Sequence, residues 1–122
     1  MAREHIDFGT RGETEAVRFL EQSGLTILAR NYRWSRAEVD IVAQSPTAMH
    51  FVEVKTRRWM DTNAGIDAVG YKKQRNVMAA AGHYMEEHDY DGDFQFDIIV
   101  VLVDKHAQTQ ITWRKDAFGF YN

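Results

Sequence analysis

Hydrophobic positions along the chain change period several times, and each change marks an element. From Thr10 to Ser23, Ala16, Val17 and Leu20 recur at helical spacing, and Gly24 stands where a C-terminal cap would fall. Ile27 to Tyr32 reads as a strand. Two more strands follow with period-2 alternation, Val39, Ile41 and Ala43 sharing one face of the first and Val52 and Val54 one face of the second. Ser45-Pro46-Thr47-Ala48, which holds the only proline, separates them as a turn. Together these predict a three-stranded meander. Arg57 to Ile66 has weak periodicity and is expected to be a mobile loop. Val69 to His88 reads as a second helix with Val77, Ala81, Tyr84 and Met85 as its apolar stripe. Phe94 to Asp104 is strand-like, and Gln110 to Arg114 closes the chain with a further strand. The order is αβββαββ, an α/β layer domain with a mixed sheet.

The meander carries charge where a strand core should not. Arg36-Ala37-Glu38-Val39-Asp40-Ile41-Val42 and Phe51-Val52-Glu53-Val54-Lys55-Thr56 place ionisable residues at alternate positions. Such groups are costly to desolvate unless paired, hydrogen-bonded or bound to a cation. With residues 45–48 as the loop, Gln44 faces Met49, Asp40 faces Glu53 and Glu38 faces Lys55. Opposite residues in an antiparallel pair lie roughly 4.5–5.5 Å apart at Cβ. Val42 and Phe51 face one another on the same side, which marks that face as covered. Asp40 and Glu53, with the carbonyl of Val54, then form an oxygen donor set suited to a hard divalent cation. Lys55 projects from the face of Glu53, where an ammonium orients water or stabilises charge on a phosphate. The competing reading is an ordinary ion-paired hairpin face.

Other residues admit two readings each. Thr10 and Glu13 fit a helix capping box, yet Glu13 also shares the helix face of Ala16, Val17 and Leu20, which points it at the sheet and the proposed metal. Lys73 and Gln74 lie one turn before Val77; they mark either a helix end leaving the core or an amine and amide contacting phosphate or water. Trp34, Trp59 and Tyr71 stand among basic residues, either to stack on unpaired bases or to cap a core edge.

Composition bounds these possibilities. With 122 residues, 1–122 is expected to form one domain. The absence of cysteine excludes disulfides, zinc-thiolate sites and thiol nucleophiles. No apolar run marks a signal peptide or membrane span, so a cytoplasmic protein is expected. A net charge of −3 argues against a broad nucleic-acid coat, but basic residues gather at Arg30, Arg33 and Arg36, at Lys55, Arg57 and Arg58, and at Lys72, Lys73 and Arg75. Asp89-Tyr90-Asp91-Gly92-Asp93 lacks the glycine and glutamate positions of a calcium loop and reads as an acidic turn. The five histidines have no zinc spacing, and no phosphate-binding glycine loop, dinucleotide fingerprint or Gly-x-Ser-x-Gly elbow occurs.

Asp40 followed by Glu53-Val54-Lys55 resembles the Asp…(Asp/Glu)-x-Lys signature of the restriction-endonuclease-like superfamily, written PD-(D/E)XK. Nearly the whole chain is similar to the YraN family of uncharacterised bacterial proteins. The matching motifs are Gly9-x-x-Gly12-Glu13-x-x-Ala16, Asn31-Tyr32-Arg33, Glu38-x-Asp40-Ile41-Val42-Ala43, Phe51-Val52-Glu53-Val54-Lys55-Thr56-Arg57, Val69-x-x-x-Lys73-Gln74-Arg75, Ala81-x-x-Tyr84, Phe96-Asp97 and Ala117-Phe118. Two positions depart from the family pattern. Ala37 replaces a glycine, and Gln95 replaces an arginine that would support Asp97, a residue read as structural. The resemblance implies a restriction-endonuclease-like core, a mixed central sheet flanked by helices. Through similarity to archaeal Holliday-junction resolvases it also implies a metal site at Glu13, Asp40, Glu53 and Lys55 and a branched or recombination-type DNA substrate.

The leading expectation is a Mg²⁺- or Mn²⁺-dependent endonuclease hydrolysing DNA phosphodiester bonds. Asp40 and Glu53 would hold the cation, Glu13 would assist, and Lys55 would position water, with Arg33, Arg36, Arg57, Lys73 and Gln74 against the nucleic acid. A symmetric junction would call for a homodimer. The alternatives are a non-catalytic nucleic-acid-binding module or a protein-interaction domain retaining the nuclease fold.

Overall fold

The computed structural model describes residues 2–60 and 69–120, with the backbone alone for residues 2–7. Helix α1 spans Ala2–Gln22 and strands β1, β2 and β3 span Thr26–Trp34, Ala37–Gln44 and Met49–Arg58. Helix α2 spans Tyr71–Glu87, and strands β4 and β5 span Phe94–Val103 and Thr109–Phe118. This is the expected αβββαββ order. One five-stranded sheet runs β1-β2-β3-β4-β5, antiparallel except for the β3–β4 pair that α2 connects.

Each helix covers one face. Val77, Ala80, Ala81 and Tyr84 of α2 pack with Ala37, Val39, Val42, Phe51 and Phe96. Ala16 and Leu20 of α1 pack on the other side with Ile41, Ala43, Val52, Ile99 and Val101. The α2 stripe differs little from its sequence pattern, Ala80 being buried while Met85 is only partly so. Among the described residues no helix is long and apolar enough to cross a membrane.

Gly24 ends α1 at φ +94°, and the bonds Gly24 N–H to Glu21 O and Leu25 N–H to Leu20 O close the helix as its position predicted. At the other end the capping box does not form. The helix begins at Ala2, so Thr10 lies inside it, where the first-turn donors that a cap would satisfy are bonded within the helix. Gly12 has a separate purpose. A Cβ there would meet the Thr56 hydroxyl at 1.9 Å, so the missing side chain lets α1 press against β3.

Arg57 and Arg58 continue β3, opposite Leu102 and Val103, rather than opening a loop. Parallel pairing with β4 gives them a strand partner that weak periodicity does not reveal. The rest of that predicted loop, from residue 61, lies outside the described residues. The final strand is longer than its alternation indicated, because β4 carries the pairing on to Phe118.

Candidate metal centre at the fork between two strands

The hairpin register is the one the turn predicts, with Gln44 opposite Met49, Ala43 opposite His50, Val42 opposite Phe51 and Ile41 opposite Val52. The ladder then stops. Beyond it β2 stays with β1 as far as the Trp34–Ala37 pair, and β3 stays with β4 as far as the Arg58–Val103 pair. Asp40 and Glu53 sit where the sheet opens. Their carboxylates replace the lost ladder bonds: Val54 N–H donates to Asp40 Oδ2 at 2.9 Å, and Asp40 N–H donates to Glu53 Oε1 at 3.3 Å.

A break in alternation delivers Asp40 there. Ala37 and Val39 join the core under α2, whereas Ile41 and Ala43 join the core under α1. The sequence pattern had put Val39, Ile41 and Ala43 on one face. β1 breaks at the same level, since Ala29 and Tyr32, an odd number of positions apart, both pack towards α2. Asn31, between them, has φ +51°, the left-handed conformation that asparagine adopts more readily than most residues. Two successive rungs, Arg30 opposite Ile41 and Asn31 beside Asp40, thereby turn to the α1 side.

Glu13 meets them from α1. Its Oε1 accepts from Asn31 Nδ2 at 2.9 Å and pairs with Arg30 Nε at 3.2 Å. A cavity of about 530 Å³ opens here, lined by Phe8, Gly9, Thr10, Glu13, Asn31, Asp40, Val54 and Thr56. Glu53 points to the other side of the sheet, where its Oε2 lies 3.4 Å from Lys73 Nζ in the first turn of α2. The two carboxylates therefore do not share the one hairpin face that strict alternation implies, because the break at Asp40 turns it to the α1 side. Lys55 follows Glu53 on the same side of β3, half-buried. It does not pair with Glu38, which bonds its β1 neighbour Arg33 at 3.4 Å, because the strands have separated before that rung.

Electrostatics mark the carboxylate pair as short of positive charge. Glu53 is 3% exposed, and burial, with Asp40 beside it, pushes its carboxyl up to about 7 against the pull of Lys73. Burial also raises Asp40; the bond from Val54 and the charge of Lys73 oppose this, and Glu13 and Glu38 add to it. Carboxylate oxygens are the donor type that a hard divalent cation takes, but here both Glu53 oxygens are engaged, Oε1 by Asp40 N–H and Oε2 by Lys73. Among the described residues no three histidine, cysteine, aspartate or glutamate side chains gather closely enough to hold an ion. Glu13 shares the cavity with Asp40 but is engaged by Arg30 and Asn31.

The predicted nucleic-acid contacts divide. Lys73 reaches the site. Gln74 turns away and donates to Val69 O at 2.8 Å, closing the start of α2. Arg33 and Arg36 are exposed around the β1–β2 turn, and Arg57 lies on β3 beyond the fork. Trp34 stacks on His83, ring centroids 4.8 Å apart, while Tyr71 begins the same helix twelve residues earlier, roughly 18 Å along its axis. The two aromatics therefore do not form one platform.

Arg30 and Asn31 are site residues whose role sequence reasoning missed, as it missed the partners of Asp97. That carboxylate is fully buried and accepts from His50 Nδ1 at 2.7 Å, Trp113 Nε1 at 3.0 Å, Gln95 Nε2 at 2.9 Å and Asp116 N–H at 2.8 Å. Gln95 thus gives the support expected of an arginine. His50 Nε2 meets Ser45 Oγ at 3.1 Å, tying the hairpin turn to the sheet.

Residues 12–101 match the family described as "Uncharacterised protein family UPF0102". The chain is 37% identical to a UPF0102 protein of Christiangramia forsetii over 97% of its own length and 98% of the relative's. It is also 37% identical to one from Koribacter versatilis, covering 94% and 81% of the two chains. A UPF0102 protein of Pseudomonas putida is 30% identical over 90% of each.

Proposed function

The chain belongs to the uncharacterised protein family UPF0102, and from this premise we propose that it is a metal-dependent nuclease hydrolysing DNA phosphodiester bonds, with branched or recombination intermediates as substrates. The observation carrying this reading is the Asp40–Glu53 pair at the fork of β2 and β3, two neighbouring carboxylates raised in pKa, with an open cavity on the Asp40 side. Mg²⁺ or Mn²⁺ held there would supply Lewis-acid stabilisation of charge on the phosphate.

Asp40 and Glu53 would bind the cation through the oxygens left free by their backbone bonds. Glu13, anchored by Arg30 and Asn31, would act on the cation's water shell across the cavity. Lys55 would orient the attacking water and neutralise the developing charge. Lys73 would leave Glu53 for a phosphate once the carboxylate is otherwise compensated, and Arg33, Arg36 and Arg57 would hold the backbone without reading its sequence. A homodimer would match a two-fold symmetric junction.

The test is incubation with single-stranded, duplex, flapped and four-way DNA in Mn²⁺ or EDTA. Products are expected in Mn²⁺ alone, absent for Asp40→Asn and strongly reduced for Lys55→Ala. Products persisting undiminished in both variants would rule the site out. One observation favours a second reading, a binding module that does not cut: Lys73 already occupies Glu53 Oε2, and among the described residues no third acidic group joins the pair closely enough to hold an ion. That reading expects DNA affinity without turnover, unchanged by Asp40→Asn.

A further inference from the structure

Two adjoining cavities run along the outer side of α2. One, of about 430 Å³, is lined by Tyr71, Gln74, Arg75, Met78, Ala79, Gly119 and Phe120. The other, of about 370 Å³, shares Tyr71, Arg75 and Ala79 and adds Lys72 and Asn76. The floor is apolar and the lip is cationic. Among the described residues no carboxylate lines either cavity, in a chain whose net charge is −3. Tyr71 is 74% exposed and Phe120 63%, and the Arg75 guanidinium lies 5.9 Å from the Tyr71 ring centroid.

The cations stand in an unfavourable place for the helix itself. α2 starts with no side-chain cap and no acidic residue in its first turn, and Lys72 and Lys73 there oppose its dipole. Lys73 ends on Glu53. Lys73 lines neither cavity, but it follows Lys72 of the groove directly in the chain, so the first turn of α2 carries one cation to the groove and the next to the carboxylate pair.

We propose that this groove holds an unpaired strand of the nucleic acid, one base stacked on Tyr71 and its phosphates on Lys72 and Arg75. The inference rests on the nucleic-acid reading of the site and narrows its substrate to DNA with a single-stranded segment beside the reacting phosphate. Charge complementarity selects the occupant, since a cationic lip repels basic partners and attracts a polyanion. The exposed ring with a guanidinium beside it supplies the base-stacking surface that single-strand binders use. Phe120, across the same cavity, offers a second apolar wall.

The test measures anisotropy of a fluorescein-labelled poly-dT strand, a blunt duplex and a duplex with an unpaired arm, all in EDTA so that no turnover intervenes. Tyr71→Ala is expected to weaken the single strand and the armed duplex by roughly five- to hundredfold. Tyr71→Phe is expected to keep their affinity, and the blunt duplex to be indifferent to both. Lys72→Ala and Arg75→Ala are each expected to lower the salt dependence of single-strand binding by a slope of about 0.7.

Equal single-strand affinity of Tyr71→Ala and wild type would overturn the proposal. So would an acidic, phenylalanine-bearing peptide that binds in a Tyr71-dependent way while poly-dT does not, or sedimentation showing that Tyr71→Ala abolishes a dimer. Failure here with metal-dependent cleavage intact removes the groove alone, whereas binding without cleavage removes the hydrolase and leaves the groove.

Discussion

Replacing Glu53 by glutamine is expected to stabilise the fold, and to do so only on the alkaline side. A carboxyl ordinarily at 4.5 is pushed up to about 7 in the folded chain by burial and by Asp40. Between those two values the native state holds a proton that the unfolded chain has released. Stability must therefore fall as pH rises through that window and level off above it. Forcing Glu53 to ionise in the fold costs about 3 kcal/mol. Glutamine is never charged, so the cost vanishes. The pull of Lys73, whose side chain is 45% exposed, is already contained in that folded value, so losing it adds no separate cost.

The expectation at pH 8 is a gain of about 3 kcal/mol, or roughly 10 °C in Tm for a domain of this size. At pH 4, below the unfolded value of 4.5, the two proteins should melt together within a degree or two. Urea or thermal melts followed by circular dichroism across this pH range measure both numbers. The raised Asp40 leaves some slope in the variant, in the same direction. Mg²⁺ should raise the wild-type melting temperature at pH 8 more than that of Glu53→Gln. A variant less stable than wild type at pH 8 would refute the reasoning, because it would make Glu53 a supporting ion-pair partner rather than an under-compensated charge.

Two further predictions concern the scaffold. Gly12→Ala should cost about 1–3 kcal/mol in urea melts, since its Cβ would sit 1.9 Å from Thr56 Oγ1; Thr56→Ala should restore only part, because Thr56 Cβ remains at 2.9 Å. A neutral Gly12→Ala would show that α1 does not press on β3 at that point. Burial alone would raise Asp97, but hydrogen bonds from His50, the Asp116 backbone, Gln95 and Trp113 outweigh it and hold the carboxyl below 3.8. Its stabilisation is full above that value and fades as pH falls through the lower folded one, so Asp97→Asn should cost about 3 kcal/mol at neutral pH and flatten the acid limb of the melting profile.

Much of the site could be read before the fold was known. The turn at Ser45–Ala48 fixed the register through Ile41 and Val52, because a short loop leaves only one way to lay the strands side by side. Strand and helix order followed from local periodicity, as did the C-terminal cap at Gly24. What alternation cannot show is its own interruption. Val39 and Ile41 carry the same local pattern whether or not Asp40 breaks it, and only Asn31 in the paired strand hints at the break, through its tolerance of positive φ.

The chain's own order of residues therefore settled which elements form, in what succession, and that charges enter a hairpin core. Tertiary structure decided where those charges go. Parallel pairing with β4 pulls β3 away from β2 and opens the fork. α1 brings Glu13 to one side and α2 brings Lys73 to the other, across separations in sequence that no local pattern spans. The same physics explains His50, Trp113 and Asp97. Each is unremarkable among its sequence neighbours, and they meet because the sheet lays strands distant in the chain side by side, where a buried carboxylate must find its hydrogen-bond donors.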